Sequence, residues 1–214
     1  LPETIRSRCQ PVPFRRLSER AVREEVQARA PQLSDEETTS IARVAGGRLD
    51  RAERLLDPAA AQRRAELLEV ARAVYADPDF DPGAAADTLL GAAKARAAEA
   101  KEHEEAAQEG LELTAREAEQ RVRRAGRGAE REELLASLEE LAAWYRDLVA
   151  AAAGASGALV HADRAAVLTE DGTLERLEGA ARAAELIRET WRNFEEFQLS
   201  HSLALQALFV ELRR

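Results

Sequence analysis

The chain has 214 residues, a formal net charge of −9 at pH 7 and 45% hydrophobic residues, few of which are aromatic. Its apolar runs are all too short to span a bilayer and no signal peptide is evident, so no membrane association is predicted. The single cysteine excludes an intrachain disulfide and indicates a reducing, cytoplasmic setting. The negative net charge disfavours direct DNA binding by the chain as a whole, although a chain with this net charge can still contain local basic patches.

Alanine, leucine, glutamate and arginine dominate the sequence and no segment alternates apolar and polar residues, so an all-α fold is predicted. Ser18 is the expected N-cap of a first helix, which Pro31 ends. Ser34 and Glu37 have the spacing of a capping box at the start of a second helix. Gly46-Gly47 ends this helix, and a third short helix completes a small unit.

A second helical unit is predicted to begin at Asp57-Pro58, where the aspartate is a cap and the proline takes the first helical position. The domain boundaries are therefore 1–57 and 58–214. A helix over about 58–76 is followed by a turn rich in aspartate and proline. We expect the next helix to run from 84 to about 125, with a kink at Gly110 and a break at Gly126-Arg127-Gly128.

The last part of the chain has the clearest helical periodicity. Leucines recur at spacings of three and four residues over 129–152, which predicts a core helix. A short helix is expected near 163–168 and a longer one over 173–192, with Leu174, Ala181 and Trp191 on its buried face. Ser200 is the predicted cap of the final helix.

No complete catalytic constellation is present in the sequence, and no catalytic activity is expected from this part of the protein. The phosphate-binding pattern GxxxxGK[ST] is absent, so the chain alone is not expected to bind a nucleotide cofactor. The three histidines, His103, His161 and His201, are scattered and are interpreted as surface, capping or packing residues, not metal ligands. Cys9 has no recognisable histidine or asparagine partner in the sequence, so it is not expected to act as a catalytic nucleophile.

The first ten residues carry the most specific motif, Leu-Pro-Glu-Thr-Ile-Arg-Ser-Arg-Cys-Gln. The string Ser7-Arg8-Cys9 within it resembles the motif of clamp-loader subunits, a family of AAA+ ATPases that load sliding clamps for replicative DNA polymerases. The resemblance implies that Arg8 is an arginine finger, which acts in trans on the ATP of a neighbouring subunit. In the simpler alternative, Arg8 belongs to a basic edge with Arg6, Arg15 and Arg16.

The resemblance also implies an AAA+ lid domain of three helices followed by a helical collar domain that joins the subunits in a ring. ATP-binding subunits of the family have a nucleotide-sensing arginine in the third lid helix. The corresponding run here begins at Gly47, with Asp50 at the sensor position and Arg51 at the next. A carboxylate would repel phosphate, so this degenerate sensor favours the delta-prime branch of the family over the gamma/tau branch.

Three later runs are similar to collar-domain sequences. They are Trp144–Leu148, Val160–Asp163, in which His161 replaces the usual asparagine, and Leu203–Leu208. The segment 84–128 has no counterpart that we can identify. The position of the motif at the start of the chain, together with the absence of methionine, predicts a C-terminal fragment whose first residues end the ATPase core.

As a clamp-loader subunit, the protein would belong to the bacterial DNA polymerase III holoenzyme, a nucleotidyltransferase assembly. Its implied partners are the gamma/tau and delta subunits, with the sliding clamp and DNA contacted through the assembled complex. ATP-Mg would be bound by the neighbouring subunits, and no cofactor is expected in this chain. Two alternatives are the gamma/tau subunit itself, an active ATPase, and a helical scaffold without a role in replication.

Overall fold

The computed structural model describes residue 10 and residues 15–197 and 200–214, apart from the side chain of Glu36. All regular elements in these ranges are helical, and the predicted all-α class is confirmed. The α-helices are α1 (Glu19–Arg29), α2 (Asp35–Ala45), α3 (Leu49–Leu56), α4 (Pro58–Ala76), α5 (Pro82–Ala107), α6 (Ala115–Ala152), α7 (Ala165–Asp171), α8 (Leu177–Glu196) and α9 (His201–Arg213). Within the described ranges, no helix is both long and apolar enough to cross a membrane.

The chain divides into two compact units between Asp57 and Pro58. Helices α1, α2 and α3 make up the described part of the first unit. They enclose a small cluster of aliphatic side chains, which comprises Val22, Val26, Ala42, Ala45 and Ala52. Because these side chains are short, the three helices bury little apolar surface.

Local capping defines the helices of the first unit. The Ser18 hydroxyl accepts a hydrogen bond from the Ala21 amide at 3.2 Å and starts α1. Ser34 and Glu37 form the predicted capping box, in which each side chain binds the backbone N–H of the other residue. Gly46 then ends α2 with a left-handed φ of 59°. The sequence signals for these boundaries are confirmed.

Helix α6 is the centre of the second unit. Helices α5 and α8 make its most extensive contacts, and α4 and α7 also pack against it. Its buried residues include a continuous row at helical spacing, namely Leu134, Leu138, Leu141, Trp144, Tyr145 and Leu148. Helix α9 contributes Leu205, Leu208 and Phe209 to the same core.

The prediction of one helix over 84–125 is wrong. Helix α5 ends at Ala107, and a turn containing Gly110 with a φ of 83° follows. Helix α6 then begins at a second capping box, formed by Thr114 and Glu117, and continues for 38 residues. The capping box determines the start of the helix because it satisfies amides that would otherwise lack acceptors.

The predicted break at 126–128 is also wrong, because α6 passes through both glycines. At Gly126 a β-carbon would lie 2.4 Å from Cε of Lys101, so a larger residue there would require the flexible lysine side chain to move. Gly128 has no neighbouring atom within 4 Å of this position. Tertiary packing of α6 against α5 outweighs the weak helix propensity of glycine.

Smaller differences concern the C-terminal helices. Helix α8 starts at Leu177 after a 3₁₀ turn, so Leu174 is 76% exposed instead of buried. Ala181 is exposed, and Trp191 is only half-buried. Ser200 occupies the N-cap position of α9 as predicted, but its side chain makes no capping hydrogen bond.

Candidate functional site

The predicted arginine finger, Arg8, and its motif neighbours Ser7 and Cys9 lie outside the described residues. The chain is described again from Arg15, and the amide of Leu17 donates a 3.0 Å hydrogen bond to the carbonyl of Gly47. Gly47 has a φ of 82°, and a β-carbon there would lie 2.5 Å from the Leu17 carbonyl oxygen. This position therefore requires glycine. The segment that follows the motif is thus attached to the turn between α2 and α3.

The residues predicted to form a degenerate sensor follow this turn directly. The guanidinium of Arg48 donates to both carboxylate oxygens of Asp50, at 2.8 and 3.4 Å. Hydrogen bonding to Arg48 is the main cause that lowers the pKa of Asp50 below its ordinary value. Asp50 is therefore ionised at neutral pH, and the adjacent guanidinium of Arg48 balances its negative charge. Arg51, next to it, is half-buried in α3.

The second unit contains a buried polar cluster around His161, which we call the His161 cluster: Arg64, Glu140, Asp147, His161 and Asp163. Asp147 and His161 are completely inaccessible to solvent. One oxygen of Asp147 accepts hydrogen bonds from the backbone amide and from Nδ1 of His161, both at 2.8 Å. On the other side of the ring, Nε2 lies 3.1 Å from Oε1 of Glu140.

Arg64, on α4, extends the His161 cluster across the unit. Its Nε donates to Oε1 of Glu140 at 2.6 Å, and its two terminal nitrogens donate to Asp163 at 2.9 and 3.2 Å. The guanidinium is planar and forked, so one side chain holds two carboxylates in fixed positions. The cluster thereby connects α4, α6 and the segment that leads into α7.

The electrostatics of the cluster favour a charged histidine. Burial disfavours the imidazolium, but hydrogen bonds with Asp147 and Glu140 outweigh this cost and raise the pKa of His161. Burial likewise acts to raise the pKa of Asp147, yet the bonds from His161 lower it overall. With the ring protonated, both ring nitrogens donate to carboxylates, and every buried charge has a partner.

The His161 cluster is structural in character. A histidine paired with an aspartate can act as a general base only when its second nitrogen reaches a reactant. Here Glu140 occupies that nitrogen, and the imidazole has no solvent access. The predicted packing role of His161 therefore agrees with its position, whereas its side chain caps no helix.

A second polar group connects α4 with the end of α7. Arg72 donates two hydrogen bonds to the carboxylate of Asp171, at 2.8 and 3.3 Å, and the Tyr75 hydroxyl donates to it at 3.0 Å. Nε1 of Trp144 donates to the same hydroxyl at 3.3 Å. Burial raises the pKa of Tyr75, so the phenol stays protonated. These bonds fix the turn between α7 and α8.

A groove of about 470 Å³ lies over Tyr75 and Tyr145, between α4, α8 and the end of α9. Its rim carries Arg176, Arg182 and Glu211. No serine, cysteine, histidine or aspartate occurs among the described residues that line it, so it contains no Ser–His or Cys–His pair. Nor do the described residues of the chain contain a group of three or more side chains suited to bind a metal ion.

None of the members of the His161 cluster was predicted as a site residue. A signal was available, because Glu140 and Asp147 are seven residues apart, next to the core residues Leu141 and Leu148 on α6. Carboxylates beside a buried row require partners. Arg64 had no such signal, since its contacts depend on how α4 packs against α6.

Comparisons with known protein families, curated proteins and solved structures find no match to this chain.

Proposed function

We propose that this chain is part of a clamp-loader subunit of the delta-prime type, in which 1–57 includes the lid and 58–214 is the collar. In this role Arg8 acts on ATP bound by a gamma/tau neighbour, and the chain performs no nucleotide chemistry of its own. The sliding clamp and DNA are contacted through the complex with gamma/tau and delta. The observation that carries the proposal is the specific string around Ser7-Arg8-Cys9.

The geometry of the first unit supports this assignment. The segment after the motif is hydrogen-bonded to Gly47, where the degenerate sensor run begins. At the position of the nucleotide-sensing arginine, Asp50 presents a carboxylate that Arg48 keeps ionised. The sensor position thus has no arginine to bind a triphosphate, which is compatible with a subunit that acts on the ATP of its neighbour.

The second unit supports a rigid collar. Two of the three runs that resemble collar sequences, Trp144–Leu148 and Val160–Asp163, are connected by the bonds between Asp147 and His161. A buried network of this kind holds its elements in one arrangement. This rigidity suits a domain that positions ATPase sites in a ring.

The decisive experiment is a complex reconstituted from the full subunit, gamma/tau and delta, assayed for ATPase activity with clamp and primed DNA. Arg8→Ala should lower the activity by tens-fold or more, as expected for the loss of an arginine finger, without preventing assembly. Arg6→Ala is the matched control, because it removes a nearby positive charge and should retain near wild-type activity.

Three outcomes would contradict the proposal. Equal losses for Arg8→Ala and Arg6→Ala would indicate a basic edge without a finger. Failure of the wild-type subunit to join gamma/tau and delta would favour the scaffold alternative. ATP hydrolysis by the subunit alone would favour the gamma/tau alternative.

A further inference from the structure

The outer half of α6 carries an unusual concentration of positive charge. Between Ala115 and Arg131 there are six arginines and three glutamates, in a chain whose net charge is −9. All six arginine side chains are exposed, and Arg123 pairs with Glu119 within the helix. The remaining five form no ion pair with a described residue; they are Arg116, Arg121, Arg124, Arg127 and Arg131.

Five of the six arginines share one side of the helix, which we call the arginine face: Arg116, Arg123, Arg124, Arg127 and Arg131. Gln120, which is uncharged, occupies the gap between the first two. The spacings of three, four or seven residues place these side chains along one stripe. The stripe spans about 22 Å from end to end, at 1.5 Å per residue.

The arginine face continues the apolar row of the same helix. Counting back from Leu138 and Leu134 in steps of three and four residues leads to Arg131, Arg127 and Arg123. In the inner half of α6 this side is buried in the core, whereas in the outer half it is open to solvent. The face is therefore available to a partner from outside the unit.

Gly128 lies beside the arginine face, four residues after Arg124 and three before Arg131, and no atom approaches within 4 Å of its absent β-carbon. Two other glycines inside helices of the second unit, Gly91 and Gly179, are equally open. At Gly128 the absent side chain leaves the main chain between the two arginines accessible to a ligand.

The chemistry of the arginine face favours phosphate over a protein partner. It contains no aromatic or large apolar side chain, and such side chains usually anchor protein interfaces and stack on unpaired bases. Guanidinium groups bind phosphate oxygens through paired hydrogen bonds. The neighbouring end of α5 and the turn after it are acidic, with Glu102, Glu105 and Glu109 exposed, and would repel a polyanion that approached from that side.

We propose that the arginine face of α6 binds the phosphate backbone of double-stranded nucleic acid without sequence preference. The bond between protein and ligand is electrostatic and requires no base contact. This inference goes beyond the clamp-loader proposal, in which DNA is contacted through the assembled complex. It concerns a segment for which the sequence resemblance offers no counterpart.

The test is fluorescence anisotropy of a short labelled DNA duplex of random sequence, titrated with the chain over a series of salt concentrations. The variant Arg124→Gln/Arg127→Gln/Arg131→Gln removes three charges while keeping good helix formers. Binding should weaken at least about tenfold at low salt. The negative slope of log affinity against log salt should become shallower by about 3. Circular dichroism and the thermal midpoint establish that the variant is folded.

The matched control is Arg182→Gln/Arg188→Gln/Arg192→Gln, which makes the same charge change on the exposed side of α8. It should bind the duplex within about twofold of the wild type. Equal loss in both variants, or no binding by the wild-type chain at low salt, would overturn the proposal. Preferential binding of a labelled polyglutamate peptide would do so as well, in favour of an acidic protein partner. None of these three outcomes bears on the role of Arg8, so the two proposals fail independently.

Discussion

His161, in the second unit, is completely buried, and its two ring nitrogens lie within hydrogen-bond distance of two carboxylates. Removing one partner from a buried ion pair leaves an uncompensated charge, which typically costs about 3–5 kcal/mol. After loss of the His161 side chain, Asp147 would still accept a hydrogen bond from the backbone amide of residue 161 and one of 3.1 Å from Arg146. The loss should therefore lie towards the lower end of this range.

We predict that His161→Ala destabilises the chain by about 3 kcal/mol near pH 6, measured by urea denaturation. His161→Asn, which retains a hydrogen-bonding side chain without the positive charge, should cost less than the alanine variant. His103→Ala is the control, because this histidine is exposed on α5, and its effect should stay within about 0.5 kcal/mol.

The cost of losing His161 should depend on pH in a defined direction. Because folding raises the pKa of His161, its contribution is fully present below the unfolded value of about 6.5 and is lost as pH rises through the folded value. The pKa of Asp147 is lowered, so its contribution is lost only in acid. The difference between wild type and His161→Ala should thus shrink from pH 6 to pH 9. An equal difference at both values would show that the ring is neutral.

At the scale of residues, contacts between near neighbours in the sequence could be predicted, whereas contacts between distant residues could not. Asp147 and His161 lie in two runs that the sequence identifies, but their 2.8 Å contact depends on the path of the chain from residue 153 to residue 161. Asp50 and Arg48, two residues apart, could be paired from sequence because their contact is local. Long-range partners such as Arg64 require the packed helices.

At the scale of helices, boundaries with a complete capping signal were predictable. Ser34 and Glu37 were identified correctly because both halves of the capping box were recognised. Thr114 and Glu117 form the same motif, but it was not recognised, and one helix was predicted to run through these residues. A glycine lowers helix stability by only about 1 kcal/mol, and packing of α6 against α5 exceeds this amount. Isolated glycines are therefore weaker evidence for a break than a capping box is for a start.

The glycines of the second unit permit a direct test of this reasoning. Gly128→Ala should stabilise the chain by about 0.5–1 kcal/mol, since the new methyl group meets no atom and the helix gains propensity. The measurement is the free energy of unfolding from urea titration. Destabilisation by Gly128→Ala would mean that the helix is interrupted at this point.

Gly172→Ala is the matched comparison. A β-carbon at this position would lie 2.6 Å from Cβ of Ala151 and 2.7 Å from the carbonyl oxygen of Leu168. Backbone and a short rigid side chain cannot yield easily, so we expect a loss of at least about 1 kcal/mol. The two substitutions are chemically identical, but Gly128 lies inside α6 and Gly172 is the C-cap of α7, so opposite signs would reflect both helix propensity and packing.

At the scale of the whole molecule, the two units differ in the amount of core that they contain. The described cluster of the first unit consists of two valines and three alanines. That of the second includes Trp144, Phe209 and a row of leucines on α6. Since burial of apolar area is the dominant stabilising contribution, the first unit should be the less stable of the two.

Native-state hydrogen exchange tests this ranking. Amides of α6 around Leu138 and Leu141 should be the most protected in the chain, because they open only on global unfolding of their unit. Amides of α1, α2 and α3 should exchange markedly faster under the same conditions. Equal protection in the two units would contradict the ranking and point to a single cooperative structure.

The hydrogen bond from Leu17 to Gly47 limits how far the N-terminal motif can lie from the turn between α2 and α3. An extended chain covers at most about 3.6 Å per residue, so the nine steps from Arg8 to Leu17 reach little more than about 30 Å. However the intervening chain is arranged, the α-carbon of Arg8 stays inside a sphere of about that radius centred on the turn between α2 and α3. If Arg8 acts in trans as proposed, the triphosphate of the neighbouring subunit must lie within that sphere or within one side-chain length of its surface. One backbone contact thus sets an upper limit on the distance between this turn and the neighbour's ATP site in any ring that uses Arg8.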